Sequence, residues 1–284
     1  MKINKGDVAI ITGASRGLGV YIARALAAKG MSLVLAARSV NELEAVAAEL
    51  RSIGGAVLIV QTDVADPVAL QSLVDATMKE FGRIDLLVNN AGFTYTYPYD
   101  QVEIADIQKT VAVNLTAPMM LTRMVLPIMI RAGRGHIVNI ASLAGILPTP
   151  YDELYTATKH GLVGFSRSLR ASAQDQHWPV SASVICPGFM DDAGIYEDFK
   201  KAYGVAAPSA VGSMSANVLG EEVIRAIEDD LPQVFITKAP IRFSAAMLAF
   251  APRLFESIGI KMKTAKLFRD VANAHVKERS GVGR

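Results

Sequence analysis

Tyr155 and Lys159 stand four residues apart in the stretch Tyr155-Thr156-Ala157-Thr158-Lys159. On a helix this spacing puts a phenol and an ammonium on one face, a turn apart. A free tyrosine holds its proton to a pKa of about 10, too high for easy proton exchange at neutral pH. A cation beside it stabilises the phenolate and lowers that value. Such a pair can pass a proton to or from a substrate oxygen. The spacing gains weight because Ser142 lies upstream and a glycine-rich turn opens the chain.

That turn is Thr12-Gly13-Ala14-Ser15-Arg16-Gly17-Leu18-Gly19. Before it runs Val8-Ala9-Ile10-Ile11, suited to a buried parallel strand. After it, residues 20–29 read as an alanine-rich helix. Strand, glycine turn and helix start form the context that a dinucleotide site needs. Glycines let the backbone approach a pyrophosphate, and the helix start offers free N–H groups and a positive dipole end. The spacing is Gly-x3-Gly-x-Gly, not the general Gly-x-Gly-x2-Gly, and no Gly-Lys-Ser/Thr follows to make a P-loop.

In chain order, the turn at 12–19, Asp63, Asn89-Asn90-Ala91-Gly92, Asn114, Ser142, Tyr155, Lys159 and Pro187-Gly188 resemble the short-chain dehydrogenase/reductase family, classical branch, over about residues 6–237. The resemblance implies a hydride transfer between a nicotinamide and a hydrophobic ketone or secondary alcohol. In it Tyr155 is the general acid of reduction and the general base of oxidation. Lys159 lowers the tyrosine pKa and bonds the nicotinamide ribose. Ser142 donates to the reacting oxygen, where charge develops. Asn114 holds a water that links Lys159 to solvent. Cofactor contacts fall to Gly13, Ser15, Arg16, Gly17, Leu18 and Gly19 of the turn, to Arg38, and to Asp63 with Val64. They continue at Asn89, Ala91 and Gly92, at Tyr155 and Lys159, and at Pro187 and Gly188. Asp63 accepts from the adenine amino group in this reading; capping a nearby helix is its alternative. A non-catalytic member, or an epimerase or dehydratase on the same fold, are the competing readings.

Cofactor choice turns on Leu35-Ala36-Ala37-Arg38-Ser39, the end of the second expected strand. An NAD enzyme usually has a carboxylate there for the ribose 2′-hydroxyl. Arg38 stands there instead, with Arg16 in the turn, and both can neutralise a 2′-phosphate. NADP(H) is therefore expected ahead of NAD. One departure from the family pattern is Asp192, where a threonine often bonds the nicotinamide carboxamide; a carboxylate can still accept from that N–H₂. With Asp191 beside it, the local charge disfavours an anionic substrate group at this edge.

The elements that must position these residues alternate along the chain. Strand-like runs fall at 8–11, 32–36, 56–61, 86–88, 136–140, 181–185 and 233–236, with helical patterns such as 40–53 and 67–81 between them. This predicts an α/β fold, a Rossmann-like, doubly wound parallel sheet of about seven strands with helices on both faces. The resemblance adds the strand order 3-2-1-4-5-6-7. One domain is expected, with residues 1–238 forming the catalytic part and 239–284 a C-terminal helical extension of it. Within the first part, 189–217 reads as a substrate loop broken by Gly194, Gly204, Pro208 and Gly212. Phe93, Tyr95, Tyr97, Leu143, Ile146, Leu147, Tyr151, Phe189 and Met190 make an apolar mouth, suited to a small apolar carbonyl or alcohol.

Composition narrows the partners. The 284 residues are 51% hydrophobic and 20% charged with a net charge of +2, which fits a folded core and gives no reason to invoke nucleic acid. Cys186, the one cysteine, is expected buried in a strand, and the four histidines make no ligand-spaced cluster, so no metal is expected. No signal peptide and no apolar stretch long enough to span a bilayer is read, so a cytoplasmic chain is the expectation. A homo-oligomer, a homodimer or homotetramer, is a separate expectation. In the tail, Phe243, Met247, Phe250 and Leu254 follow helical spacing, with Pro252 dividing it into two short helices. Lys261, Lys263, Lys266 and Arg269 follow, with Phe268 and Val271. This extension is expected to pack on the domain, on a partner subunit or over the substrate, or to touch a membrane surface.

Overall fold

The structure is a computed structural model that describes residues 1–209 and 211–280. Ala210 in the expected substrate loop, and residues 281–284 of the expected extension, lie outside the described residues. Seven parallel strands form the central sheet. They are β1 (Val8–Thr12), β2 (Ser32–Ala37), β3 (Val57–Gln61), β4 (Leu86–Asn89), β5 (Gly135–Ile140), β6 (Val180–Pro187) and, last in sequence, β9 (Gln233–Ile236). Their order, β3-β2-β1-β4-β5-β6-β9, is the doubly wound arrangement expected, reversing direction at β1. Two short strands, β7 (Phe189–Met190) and β8 (Ser213–Met214), pair separately within the substrate loop.

The strands read as continuous apolar runs because both faces are covered. Along β1, Ala9 and Ile11 point to one face and Val8 and Ile10 to the other. The first face packs α1 (Leu18–Ala28), α2 (Val40–Ser52) and α8 (Asn217–Glu228) through Leu26, Leu43 and Leu219. The second packs α3 (Pro67–Phe81) and α5 (Ala117–Arg131) through Leu73, Leu121 and Val125. Helix α6 (Glu153–Asp175) lies against β6 with Leu162 and Val163 buried. Side-chain caps fix several starts: Ser39 accepts from the Glu42 amide before α2, and Asp66 from the Val68 amide before α3.

Helix α4 (Ile104–Val111) runs into α5 through a π-helical turn at Ala112–Thr116. The joined run Ile104–Arg131 is, by length and composition, apolar enough to cross a membrane, contrary to the expectation that no stretch is. Its apolar stripe is spent on the sheet, where Leu121, Val125 and Met129 are fully buried. At the amino ends of the strands Asp7 and Asp85 are buried together. Arg83 donates to both carboxylates and Arg134 donates to Asp7.

After β7 comes α7 (Ile195–Tyr203), one of the short helical pieces expected in the loop. The extension forms α9 (Ile241–Phe250) and α10 (Pro252–Lys261), broken at Ala251 before the proline as expected, and then α11 (Lys266–Ser280). Helix α11 turns back over the loop: Leu267 and Val271 bury against Tyr196 and Phe199 of α7.

Candidate active site

The candidate residues gather at the carboxyl ends of β1, β4, β5 and β6, the edge where open α/β sheets bind ligands. Gly13 leaves β1 at φ 66°, a left-handed conformation that glycine adopts freely, and a Cβ there would lie 2.8 Å from Ala91 Cα. A Cβ on Gly19 would lie 2.3 Å from the Gly13 carbonyl oxygen and 2.8 Å from Asn90 Nδ2. The turn is thus pressed against the end of β4. Asn90 and Thr12, which the sequence reading passed over as binding residues, clamp it there. Asn90 Nδ2 donates to the carbonyls of Thr12 and Gly13 at 2.9 and 3.1 Å, and Thr12 Oγ1 accepts from the amides of Asn90 and Ala91 at 3.0 and 3.1 Å.

Helix α1 starts from Gly17 with no side-chain cap and no acid in its first turn. Its first amides and its positive dipole end are left for an anion. The chemistry of this cradle fits a dinucleotide pyrophosphate. Arg16 and Arg38 are exposed nearby and neither forms an ion pair among the described residues. Glu42 adds a carboxylate that the end of β2 does not reveal, accepting from the Ser15 hydroxyl at 2.8 Å. It reaches back from the first turn of α2, and the Ser39-x-x-Glu42 capping spacing is the signal that could have found it.

Other expected cofactor residues divide. Asp63 Oδ1 accepts from the Ala65 amide at 3.0 Å, while Asp66 caps α3, so the helix-capping alternative for Asp63 does not hold. Val64 is buried beside it. The side chain of Asn89 turns into the core, donating to Asn139 Oδ1 at 2.8 Å and Thr122 Oγ1 at 3.3 Å. Only its backbone remains to meet a ligand. Pro187 and Gly188 close β6, with the Gly188 amide bonded to the Ile236 carbonyl at 2.9 Å. Asp192 does not project as a free carboxylate. It accepts from Ser215 Oγ at 2.7 Å and from the Ala216 amide at 2.6 Å, securing the approach to α8. Burial would raise its pKa, but these two bonds outweigh burial and hold it below the usual range. Lys200 sits over Asp191, donating to its carbonyl at 2.6 Å.

Tyr155 and Lys159 occupy the first two turns of α6, with Lys159 Nζ 5.4 Å from the centroid of the tyrosine ring. Lys159 is 3% exposed and donates to the Ile140 carbonyl at 2.9 Å. Burial lowers its pKa to about 8. Ser142 begins a short 3₁₀ turn, accepting from the Ala144 amide at 3.1 Å. A Cβ on Gly92 would stand 3.3 Å from Asn114 Oδ1 and 3.4 Å from Lys159 Nζ, so these residues converge on one point. Asn114 sits in the π-helical turn. Its amide accepts from the Phe93 N–H at 3.1 Å and donates to the Phe93 carbonyl at 2.8 Å and to Thr158 Oγ1 at 3.3 Å. With both ends of the amide engaged, the side chain fixes the 92–94 backbone against α6.

The tyrosine pKa runs opposite to expectation. Burial pushes the phenol above its ordinary value, the Asp152 carboxylate adds to this, and the Ser142 hydrogen bond opposes it. Its proton is held, as a general acid requires. Asp152, which the sequence reading missed, is buried one helical turn before Tyr155 and accepts from the hydroxyls of Thr94 and Thr96. Burial raises it to about 7 against those two bonds. Its partners lie more than fifty residues away in sequence, so no local spacing announces it. Cys186 is buried in β6 as expected, its thiol pushed up to about 11 by burial.

Of the expected mouth, Phe93 and Tyr95 stack edge to face at 5.2 Å, and Phe189 lies 4.9 Å from Tyr196 and 6.2 Å from Phe268 of α11. Tyr97 stacks on His275 at 5.2 Å, and His275 Nδ1 donates to the Thr96 carbonyl at 2.8 Å. Leu143 and Ile146 join the small core of Leu162, Val163 and Cys186. The extension therefore covers the mouth through α11.

Comparison with known proteins agrees with this fold. The sequence model described as short chain dehydrogenase matches residues 7–203. The chain is 35% identical over 246 residues to the ketoacyl reductase HetN of Nostoc sp., covering 87% of this chain and 84% of that protein. Among solved structures, a short-chain dehydrogenase/reductase from Burkholderia phymatum in complex with NAD superposes with a TM-score of 0.77 at 28% identity, covering 92% of this chain and 97% of the other. A metagenomic short-chain oxidoreductase in complex with NADP gives 0.69 at 33% identity, covering 82% and 96%. With the family model matching most of the chain and these relatives matching nearly their whole length, the chain belongs to the short-chain dehydrogenase/reductase family.

Proposed function

We propose that this oxidoreductase is NADP(H)-dependent and reduces hydrophobic ketones, using Ser142, Tyr155, Lys159 and Asn114. The carrying observation is the buried Lys159 ammonium, 5.4 Å from the centroid of the Tyr155 ring, with Asn114 meeting it beside Gly92. NADPH, when bound, would supply the hydride for the carbonyl carbon. The Ser142 hydroxyl donates to the carbonyl oxygen as negative charge grows there. Tyr155 passes its proton to that oxygen, giving the alcohol. The phenolate left behind faces the Lys159 ammonium, which lowers the cost of its charge. Asn114 holds Phe93 and Thr158 so that this geometry persists. Gly13, Gly17, Gly19 and the open start of α1 would hold the pyrophosphate, with Asp63 and Val64 near the adenine. Arg16 and Arg38 would take a 2′-phosphate. The apolar mouth of Phe93, Tyr95 and Phe189 supports an apolar carbonyl, and a ketoacyl reductase among the relatives points the same way. We place the chain in the cytoplasm as a homo-oligomer.

Glu42, bonded to Ser15, favours NAD, since a carboxylate there can accept from a ribose 2′-hydroxyl, and one structural neighbour is solved in complex with NAD. The test is oxidation of NADPH and of NADH by the purified protein against a panel of aliphatic, aromatic and 3-oxoacyl ketones. Turnover with NADPH on apolar ketones is expected. Cofactor binding without turnover across the whole panel would turn the reading to a non-catalytic member.

A further inference from the structure

The positive charge of this chain is not spread evenly. Residues 238–269 hold seven of its 29 lysines and arginines but one of its 27 acids, Glu256, so the rest of the molecule is net negative. The same stretch holds four of the ten phenylalanines. In the fold it forms the α9–α10 hairpin and the start of α11, and the hairpin contributes little to the core. Ile241 is the one buried residue of α9, and α10 has none. Phe250 is 90% exposed, Ile260 79% and Phe243 67%, with Leu254 and Met262 also open.

Each of four of these apolar side chains has an exposed cation as its sequence neighbour: Arg242 beside Phe243, Arg253 beside Leu254, and Lys261 and Lys263 beside Ile260 and Met262. None of the four cations forms an ion pair among the described residues. Soluble surfaces scatter single apolar residues, but five large ones exposed along one two-helix segment point to an interaction site. A protein partner would cover the phenylalanines while asking acids of its own to meet four separate cations. A lipid surface does both at once. Acyl chains receive the apolar side chains, and anionic headgroups meet the cations lying alongside. Long basic side chains suit this, since their stems lie along apolar matter while the charge reaches the headgroups.

We propose that the α9–α10 hairpin seats the protein on an anionic lipid surface, with Phe243, Phe250, Leu254, Ile260 and Met262 entering the acyl boundary and Arg242, Arg253, Lys261 and Lys263 at the headgroups. The interaction is peripheral: helices of ten residues are too short to span a bilayer. It does not depend on the catalytic reading, because binding is measured without turnover.

Full-length protein is floated with vesicles of phosphatidylcholine alone and with vesicles containing about one third phosphatidylglycerol. Binding to the anionic vesicles is expected, weakening as salt is raised. The double variant Phe243→Asp/Phe250→Asp and the double variant Lys261→Glu/Lys263→Glu should each bind about tenfold less. Both should keep the wild-type urea unfolding midpoint and elution volume, which shows that they fold. Three outcomes overturn the proposal. One is no binding to anionic vesicles at low salt. Another is equal binding by wild type and both variants. The third is a loss of assembly size in the Phe243→Asp/Phe250→Asp variant, which would make a second copy of the chain the occupant of the hairpin.

Discussion

At the amino ends of the strands, Asp7 and Asp85 are 2% and 1% exposed and share the guanidinium groups of Arg83 and Arg134. Backbone amides add to this, with Asn4 N–H donating to Asp7 and Val8 N–H to Asp85. At the carboxyl ends, Lys159 and Asp152 are buried as deeply, yet neither forms an ion pair among the described residues. Their pKa values move towards neutrality, Lys159 down to about 8 and Asp152 up to about 7. The sheet thus carries compensated charge at one end, where it braces, and uncompensated charge at the other, where it can gain and lose protons. Buried charge without a partner costs stability, and its persistence marks chemistry more than scaffolding.

The comparison breaks first at Tyr155. Tyr155→Phe keeps the ring and removes the proton, so turnover should fall by about 10²–10⁴-fold. Urea unfolding of that variant should match wild type. If activity survives, the carboxyl end of the sheet is not where the proton is passed. The amino end should answer in the opposite way. Asp85→Ala leaves Arg83 half-compensated and the Val8 amide unpaired, and should cost about 3 kcal/mol in urea unfolding while turnover at low temperature stays near wild type.

Arg38→Asp sharpens the comparison on the exposed rim of the site. Losing a charge-assisted bond worth about 1.5–3 kcal/mol should shift the ratio of kcat/KM for NADPH over NADH by roughly 10–100-fold towards NADH. Arg16 remains, so some NADPH response persists. An unchanged ratio would assign the selectivity to Arg16 or Glu42.

The smallest effect is expected at Asp152. Its folded pKa lies above its unfolded one, so its contribution to stability is fully present below about pH 4 and is lost as pH rises through about 7. Asp152→Asn removes that loss. The variant should be more stable than wild type at pH 8, by on the order of 1 kcal/mol, with the gap closing as the pH falls towards 4. Unfolding midpoints at the two pH values check it. A variant less stable at both would mean that the Thr94 and Thr96 bonds need the charge.

The legible parts of this molecule are the local ones. Tyr155 and Lys159 are joined by a single turn of helix, and strand, glycine turn and α1 follow one another without interruption, so these motifs, taken together with Ser142 and in their order, can be read from the chain. Alternating apolar runs likewise disclose the sheet, and Pro252 the break between α9 and α10. What the sequence could not tell depends on residues brought together from afar. Asp152 meets Thr94 and Thr96 across 58 and 56 residues. Asn89 fits a cofactor role by position, but Asn139 and Thr122 claim its side chain. Asp192 is claimed by the residues before α8. The tyrosine pKa was misjudged for a related reason: a nearby lysine is visible in sequence, while burial, which decides the direction, is not.

The bond from His275 to the Thr96 carbonyl joins positions 179 residues apart. Its consequence is one of timing. On a ribosome adding roughly 5–20 residues per second, Thr96 is made some 10–40 s before the histidine that will hold it. The sheet is complete in sequence at Ile236, before α11 begins at Lys266. A nascent chain can therefore close its dinucleotide cradle first and acquire the roof of its substrate mouth last. The aromatic packing around Tyr97 and Phe189 is complete only when α11 has folded back.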